Sequence, residues 1–250
     1  MALIESFKKQ GDYLFRFRSY LPIPLLIAGI GFFIYQHYVE QYSYNAIYFW
    51  ACFGVSFLGL IIRSITIGYT PKNTSGRNTK MQVADVVNTT AMYSIVRHPL
   101  YLGNFFMWLG LAMVTANVWF ILCFILVFWL YYERIMYAEE FFLREKFGEA
   151  YLNWANKVPS FIPSFKKWES SQMCFSFRNV VKRETLGLFK LIILFFIFQY
   201  LHEIFTNGFD YFKLSKQGQI WLILFLAMIV VYLVIRTIRK STKLLNVSGR

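Results

Sequence analysis

Cysteine is scarce in this chain and scattered. Cys52, Cys123 and Cys174 form no CxxC pair and no Cys/His spacing, which argues against a zinc site or a disulfide framework. Cys52 and Cys123 fall inside apolar runs and read as small core residues. Acidic residues are also few, 13 against 26 lysines and arginines, for a net charge of +13. Charged residues of both signs make up 16% of the chain against 57% hydrophobic, too little to cover a water-soluble domain of this length. Histidine occurs three times. His37 and His202 fall near the far ends of apolar runs from His98, so no Ser/His/Asp or Cys/His arrangement can be assembled. The opening residues are charged through Arg18 and show no small-residue cleavage site, so no removable signal peptide is expected.

What the sequence has is long apolar stretches and a positive mean hydropathy. Runs of about 18 or more apolar residues indicate transmembrane helices, which satisfy their own backbone in lipid. The expected fold is all-α: a polytopic transmembrane bundle of about six spans, over residues 21–39, 46–69, 100–116, 118–147, 186–205 and 218–235. Residues 1–20 read as a charged flank on the membrane surface, and Pro22 and Pro24 suit a helix's first turn. Residues 70–92, rich in Asn, Ser, Gly and Pro, read as a loop. Helical periodicity in the fourth run persists through Glu139 and Glu140 to Phe147, with Gly148 as the stop. At about 1.5 Å per residue that helix is longer than the hydrocarbon core of about 30 Å, so its last turns should stand outside it. Residues 149–184 read as a basic surface segment.

Lysine and arginine placement sets the expected orientation. Of the 26 cations, 22 fall in residues 1–20, 70–100, 134–184 and 236–250. Both termini are therefore expected in the cytoplasm, with Arg97-His98-Pro99 and Glu139-Glu140 on that same side. Because the third and fourth runs are joined by a tight turn at Asn117, they must be neighbours. Arg97 and His98, at a helix start where free N–H groups and the dipole favour anions, should then face the two glutamates. One cluster suits a carboxylate or phosphate, the other an ammonium or hydroxyl. A two-ended ligand at the membrane edge would match both. Taken singly, Arg97-His98 also fits an interfacial anchor and Glu139-Glu140 a solvated helix face.

The run Arg97-His98-Pro99-Leu100-Tyr101-Leu102-Gly103 is followed by Glu139-Glu140-Phe141-Phe142-Leu143, Phe147-Gly148, Tyr151 and Val158-Pro159. In that order and spacing, over residues 85–165, it resembles the isoprenylcysteine carboxyl methyltransferase and phospholipid methyltransferase group. The resemblance implies a membrane-embedded methyltransferase that uses S-adenosylmethionine, without a Rossmann fold or a metal. It implies cofactor-binding roles for Tyr93, Arg97, His98, Pro99, Tyr101, Gly103, Glu139 and Glu140, on a cytoplasmic cofactor-binding hairpin. The family pattern often has glycine where this chain has Ala91. The implied division is a two-span region (1–84), a methyltransferase core (85–165) and a basic segment with two spans (166–250).

A narrower resemblance, carried by residues 71–79, Asn88-Thr89-Thr90, Tyr93-Ser94 and 177–184, is to bacterial enzymes similar to lipid A 1-phosphate methyltransferases. It implies a lipid-phosphate acceptor and the inner membrane of a bacterium. Lys72, Arg77 and Lys80, beside Ser, Thr and Asn donors, form a candidate phosphate cradle, as do Arg178, Lys182 and Arg183. Attraction of these cations to anionic lipid is the competing explanation. Arg63, a charge inside an apolar run, is a further substrate-binding candidate. Arg97 and Arg134 are the candidate catalytic residues, Arg134 by orienting the acceptor oxygen. A phospholipid amine or a prenylcysteine carboxylate stays open as acceptor. So does a transporter or structural subunit, although only Arg63 and Lys190 fall within spans. The expected partners are a membrane lipid and the bilayer, with no nucleic acid.

Overall fold

The computed structural model describes residues 2–20, 22–74, 82–207, 210 and 213–250. Every regular element among them is helical. In chain order they are α1 (Leu3–Phe17), α2 (Pro22–Tyr38), α3 (Ala46–Tyr69), α4 (Met92–Ile95), α5 (Pro99–Met113), α6 (Val118–Phe147), α7 (Glu149–Ala155), α8 (Phe177–Thr206) and α9 (Lys216–Ser241). A single 3-10 turn, Phe165–Lys167, lies between α7 and α8. Four of these helices, α3, α6, α8 and α9, are long and apolar enough to cross a membrane, and α2 entered from α1 gives a fifth candidate. The apolar α5 is shorter, at 15 residues.

Local chemistry places the boundaries. Asn45 Oδ1 accepts from Tyr48 N at 2.8 Å and Asn117 Oδ1 from Phe120 N at 2.9 Å, capping α3 and α6. Ser176 and Ser215 cap α8 and α9 in the same way. Gly148, at φ 53°, ends α6 and turns the chain into α7.

Three expectations are corrected. The third apolar helix ends at Met113, where residues 114–117 wind into a turn held by Thr115 Oγ1 donating to Ala112 O. Helix α8 begins at Phe177, so residues 177–185 are its first turns; the Ser176 cap starts the helix well before its apolar stretch. Residues 1–20 are not a bare flank. Helix α1 lies along the far half of α6, with Gly11 against Arg134 O and Ala138, and Lys8 paired with Glu145 at 3.4 Å.

Two apolar clusters hold the bundle. One gathers Phe120, Phe124, Phe128 and Tyr132 of α6 with Tyr101 and Leu102 of α5, capped by Phe15 and Phe161. The other joins Phe33, Phe49, Phe195, Phe198 and Trp221 from α2, α3, α8 and α9. Between them α3 and α5 cross at small residues. A Cβ on Gly59 would overlap the Gly103 carbonyl and Met107 N, and Ser56 Oγ donates to Met107 O at 2.7 Å. Close backbone approach of this kind drives helix association where lipid supplies no hydrophobic force.

Candidate active site

The residues that precede α5 are fixed by backbone pairing before any side chain acts. Arg97 N donates to Pro159 O at 2.9 Å, His98 N to Ser160 O at 3.2 Å and Ser164 N to Ile95 O at 2.9 Å. The segment after α7 therefore runs back against the start of α5. The Arg97 and His98 N–H groups are therefore already used. Pro99 occupies the first helical position, where its missing donor costs nothing. The side chains then carry the rest of the site.

Those side chains meet across α5 and α6. His98 Nε2 lies 2.9 Å from Glu140 Oε1, and its Nδ1 lies 3.7 Å from Glu139 Oε2. Arg97 NH1 donates to Glu140 Oε2 at 3.0 Å, and Tyr101 Oη donates to Glu139 Oε1 at 2.6 Å. His98, 7% exposed, thus bridges two neighbouring carboxylates. Helix α6 passes alongside α5, and the turn at Asn117 sets the register that brings residue 98 opposite 139 and 140.

Known proteins bear directly on this cluster. The family model described as phospholipid methyltransferase matches residues 25–150, half of the chain, and spans both halves of the cluster. The chain belongs to the phospholipid methyltransferase family. Over 76 residues it is 42% identical to the protein-S-isoprenylcysteine O-methyltransferase of Schizosaccharomyces pombe, covering 30% of this chain and 32% of that protein. The Xenopus laevis protein of the same name is 35% identical over 78 residues, covering 31% and 27% of the two chains. The nickel-cobalt-cadmium resistance protein NccN of Alcaligenes xylosoxydans xylosoxydans is 33% identical over 82 residues, covering 33% and 38%. The chain spans about a third of the length of the curated relatives it matches. No solved structure matches it.

In this member of the phospholipid methyltransferase family the two glutamates are electrostatically unequal. Burial holds Glu139 above its ordinary carboxyl pKa, and the charge of His98 and the Tyr101 bond only partly offset that. Burial also pushes Glu140 upward, but the His98 bond and the charges of His98 and Arg97 together win and leave it below the ordinary value. Tyr93 lies beside this pair. Its phenol is pushed up to about 12, by burial first and then by the Glu139 carboxylate. Trp154 Nε1 donates to the Tyr93 carbonyl at 3.2 Å, tying α7 to α4.

Ala91 precedes this turn at φ 52° and ψ −128°, the same backbone state that Gly148 occupies at the end of α6. A side chain there is strained by about 1–2 kcal/mol. Ala91→Gly should therefore raise the thermal midpoint in detergent; an unchanged or lower midpoint would show that the strain is relieved elsewhere.

Not every candidate joins the cluster. Gly103 faces α3 instead, where a Cβ would overlap the Arg63 stem and the Gly59 carbonyl. Arg63 is engaged by Glu184 and Asn104: Nε donates to Glu184 Oε2 at 2.9 Å, NH2 to Glu184 Oε1 at 2.8 Å and NH1 to Asn104 Oδ1 at 2.7 Å. Lys72 N donates to Gly249 O at 2.9 Å, and its side chain is exposed. Arg77 and Lys80 lie outside the described residues. Arg134 stacks over the Phe7 ring at 3.5 Å and pairs with Glu133 at 2.9 Å, on the α1 side of α6. It stands five residues before Glu139, about 140° around the helix, and so cannot share that face. Its contacts are with α1 and Glu133 rather than with Glu139 or Glu140.

Arg134→Gln should therefore lower the thermal midpoint, removing a cation–π contact of about 0.5–2 kcal/mol, while affinity for S-adenosylhomocysteine stays unchanged. A loss of that affinity would return Arg134 to the site. Residues the sequence reading passed over are Glu184 and Asn104, which hold Arg63, and Arg18. Arg18 sits 3.9 Å over the Phe15 ring, and its charge reaches Glu139. Glu184 had one legible signal: it is an acid opening an apolar helix, in a chain whose α3 carries a single cation, Arg63.

Proposed function

We propose that the chain is an integral membrane O-methyltransferase that uses S-adenosylmethionine and methylates an anionic oxygen on a membrane lipid head group. The carrying observation is the cluster in which His98 bridges Glu139 and Glu140, with Arg97 and Tyr101 at its ends. The residues present fit that cofactor. Arg97 Nε and Tyr151 Oη are buried with no hydrogen-bond partner among the described residues, although Tyr151 lies beside Glu140 and Arg97. Buried polar atoms left in this way fit a ligand that brings polar groups of its own. In this reading Arg97 and Tyr151 hold its carboxylate, and Glu139 and Glu140 its ammonium and ribose hydroxyls. Tyr93 and Pro99 shape the floor, and Gly103 sets the approach of α3.

The cofactor, when bound, supplies a methyl group activated on a sulfonium. Held there by Arg97, Tyr151, Glu139 and Glu140, it would serve an acceptor that is already an oxyanion, so the chain would need no general base. A lipid phosphate monoester, with a second pKa of about 6, is already anionic at neutral pH. The chain's task is then alignment and exclusion of water, which alone supplies several kcal/mol. The phosphate reading is favoured by the cations at this end of the bundle: Lys72 after α3, and Arg178, Lys182 and Arg183 on the first turns of α8. Such a site calls for the cytoplasmic face, in line with the cation distribution. A second reading, a prenylcysteine carboxylate, is favoured by the names of the relatives. Both acceptors present an oxyanion on a lipid.

The experiment is transfer of labelled methyl from S-adenosylmethionine by the purified protein, offered vesicles containing lipid A or phosphatidic acid, and separately N-acetyl-S-farnesylcysteine. Label in the phosphate lipids supports the first reading, and label in the farnesylcysteine the second. Failure to bind S-adenosylhomocysteine and to label any of them overturns the methyltransferase assignment.

A further inference from the structure

The three-helix knot of Arg63, Glu184 and Asn104 lies one step inside the bundle from the Glu139–Glu140 cluster. Arg63 stands four residues after Gly59 on α3, and its stem lies across Gly103 of α5, where a Cβ would displace it. That contact aims the guanidinium at two partners. Glu184 of α8 takes it in a two-bond fork at 2.8 and 2.9 Å, and Asn104 of α5 accepts at 2.7 Å. Side-chain exposure is 21% for Arg63 and 6% for Glu184. The pair is therefore charge-balanced, and Arg63 is not a lone cation awaiting an anionic substrate.

The consequence falls on Asn104. A guanidinium only donates, so the Asn104 oxygen must face it and the amide NH2 must face away. Asn104 follows Tyr101 by three residues, about one turn, on the helix edge that holds Glu139. The Tyr132 hydroxyl faces the same amide, and the Tyr132 ring packs on Tyr101 with centroids 4.9 Å apart. Side-chain contacts thus run without a break from Glu184 through Arg63, Asn104, Tyr132 and Tyr101 to Glu139 and His98, polar except where the two tyrosine rings pack. Buried ion pairs add little net stability over apolar packing of equal size, so stability alone does not account for such a knot beside the site.

We propose that Asn104 presents its amide N–H groups to the oxyanion of the methyl acceptor, and that Arg63 and Glu184 are positioning residues that fix that amide. The inference rests on the methyltransferase reading above and names the acceptor side of the same site. Glu184 holds the fork of Arg63, Arg63 orients Asn104, and Asn104 meets the acceptor from within the bilayer as the His98 cluster meets the cofactor from outside it.

The test uses Glu184→Gln, Arg63→Lys and Asn104→Asp, which preserve size or charge and avoid leaving Glu184 buried without its partner. Each is measured for S-adenosylhomocysteine affinity by calorimetry. Each is also measured for kcat and KM on phosphatidic acid vesicles, or on N-acetyl-S-farnesylcysteine if that is the acceptor turned over. Expected are cofactor affinities within about twofold of the parent and kcat/KM for the acceptor lowered by about tenfold or more, since small misplacements at a reacting centre have large effects. Glu184→Asp should recover part of what Glu184→Ala loses. Unchanged kcat and KM per folded molecule in Glu184→Gln and Arg63→Lys, with only the thermal midpoint lowered, would make the knot purely structural and overturn the proposal. A parent protein that binds S-adenosylhomocysteine yet gives that result sinks this inference alone; one that neither binds nor turns over takes the methyltransferase reading down with it.

Discussion

His98→Ala and Glu140→Ala should each abolish measurable binding of S-adenosylhomocysteine while leaving the protein folded in detergent. His98 contacts both carboxylates, at 2.9 Å and 3.7 Å. Removing it leaves Glu139 and Glu140 adjacent and half-buried, with Tyr101 still bonded to the first and Arg97 to the second. A hydrogen bond to a charged group contributes about 1.5–3 kcal/mol, so loss of the His98–Glu140 bond alone corresponds to about tenfold to a hundredfold in affinity, and loss of the longer contact to Glu139 adds to it. Folding should survive, because neither apolar cluster includes His98 or Glu140. Isothermal titration on monodisperse protein decides: affinity unchanged in both variants would remove this cluster as the cofactor site.

The same geometry fixes the direction of a pH effect. Glu139 is held above its ordinary value by burial, so it is the first of the pair to take up a proton as the pH falls. Glu140 is held below, so its ionised state is favoured in the folded protein; that contribution is complete above the ordinary carboxyl pKa and disappears as the pH falls through the lowered one. A ligand ammonium needs Glu139 ionised. Affinity should therefore weaken between neutrality and the ordinary carboxyl range while the protein stays folded. Glu139→Gln should bind more weakly and lose that dependence. A pH profile identical to the parent's would show that another group titrates.

How far the sequence carries this argument differs from residue to residue. Helices α3 and α6 are legible to the residue because an Asn cap starts each and Thr70-Pro71 or Gly148 stops it. The meeting of His98 with Glu139 and Glu140 follows from one turn at Asn117 and two helix lengths. Helix phase could have excluded Arg134, since five residues rotate a side chain off the Glu139 face. The start of α8 was hidden because Arg178, Lys182 and Arg183 make the first turns of the helix look like part of a basic surface segment. The pairing of residues 97 and 98 with 159 and 160 could not be read at all. It depends on the chain doubling back after α7, which no local periodicity encodes.

Gly110→Val should cost the protein its fold, where Gly54→Val should not. A Cβ on Gly110 would overlap the Cys52 carbonyl and both the backbone nitrogen and hydroxyl of Ser56, whereas nothing lies within 4 Å of a Cβ on Gly54. Overpacking against movable side chains costs about 1–3 kcal/mol, but here the obstacle is backbone on a helix that is itself pinned at Gly59. Relief requires α3 and α5 to separate, which also breaks the Ser56–Met107 bond. With little hydrophobic force to hold helices together in lipid, that contact is the main term joining them. Yield of monodisperse protein and its thermal midpoint should collapse for Gly110→Val and hold for Gly54→Val; equal stability would show that α3 and α5 do not cross in this way. The stake is functional as well as structural. It is this crossing that lays Arg63 over Gly103 and beside Asn104, so the acceptor side of the site exists only while two glycine faces stay in contact.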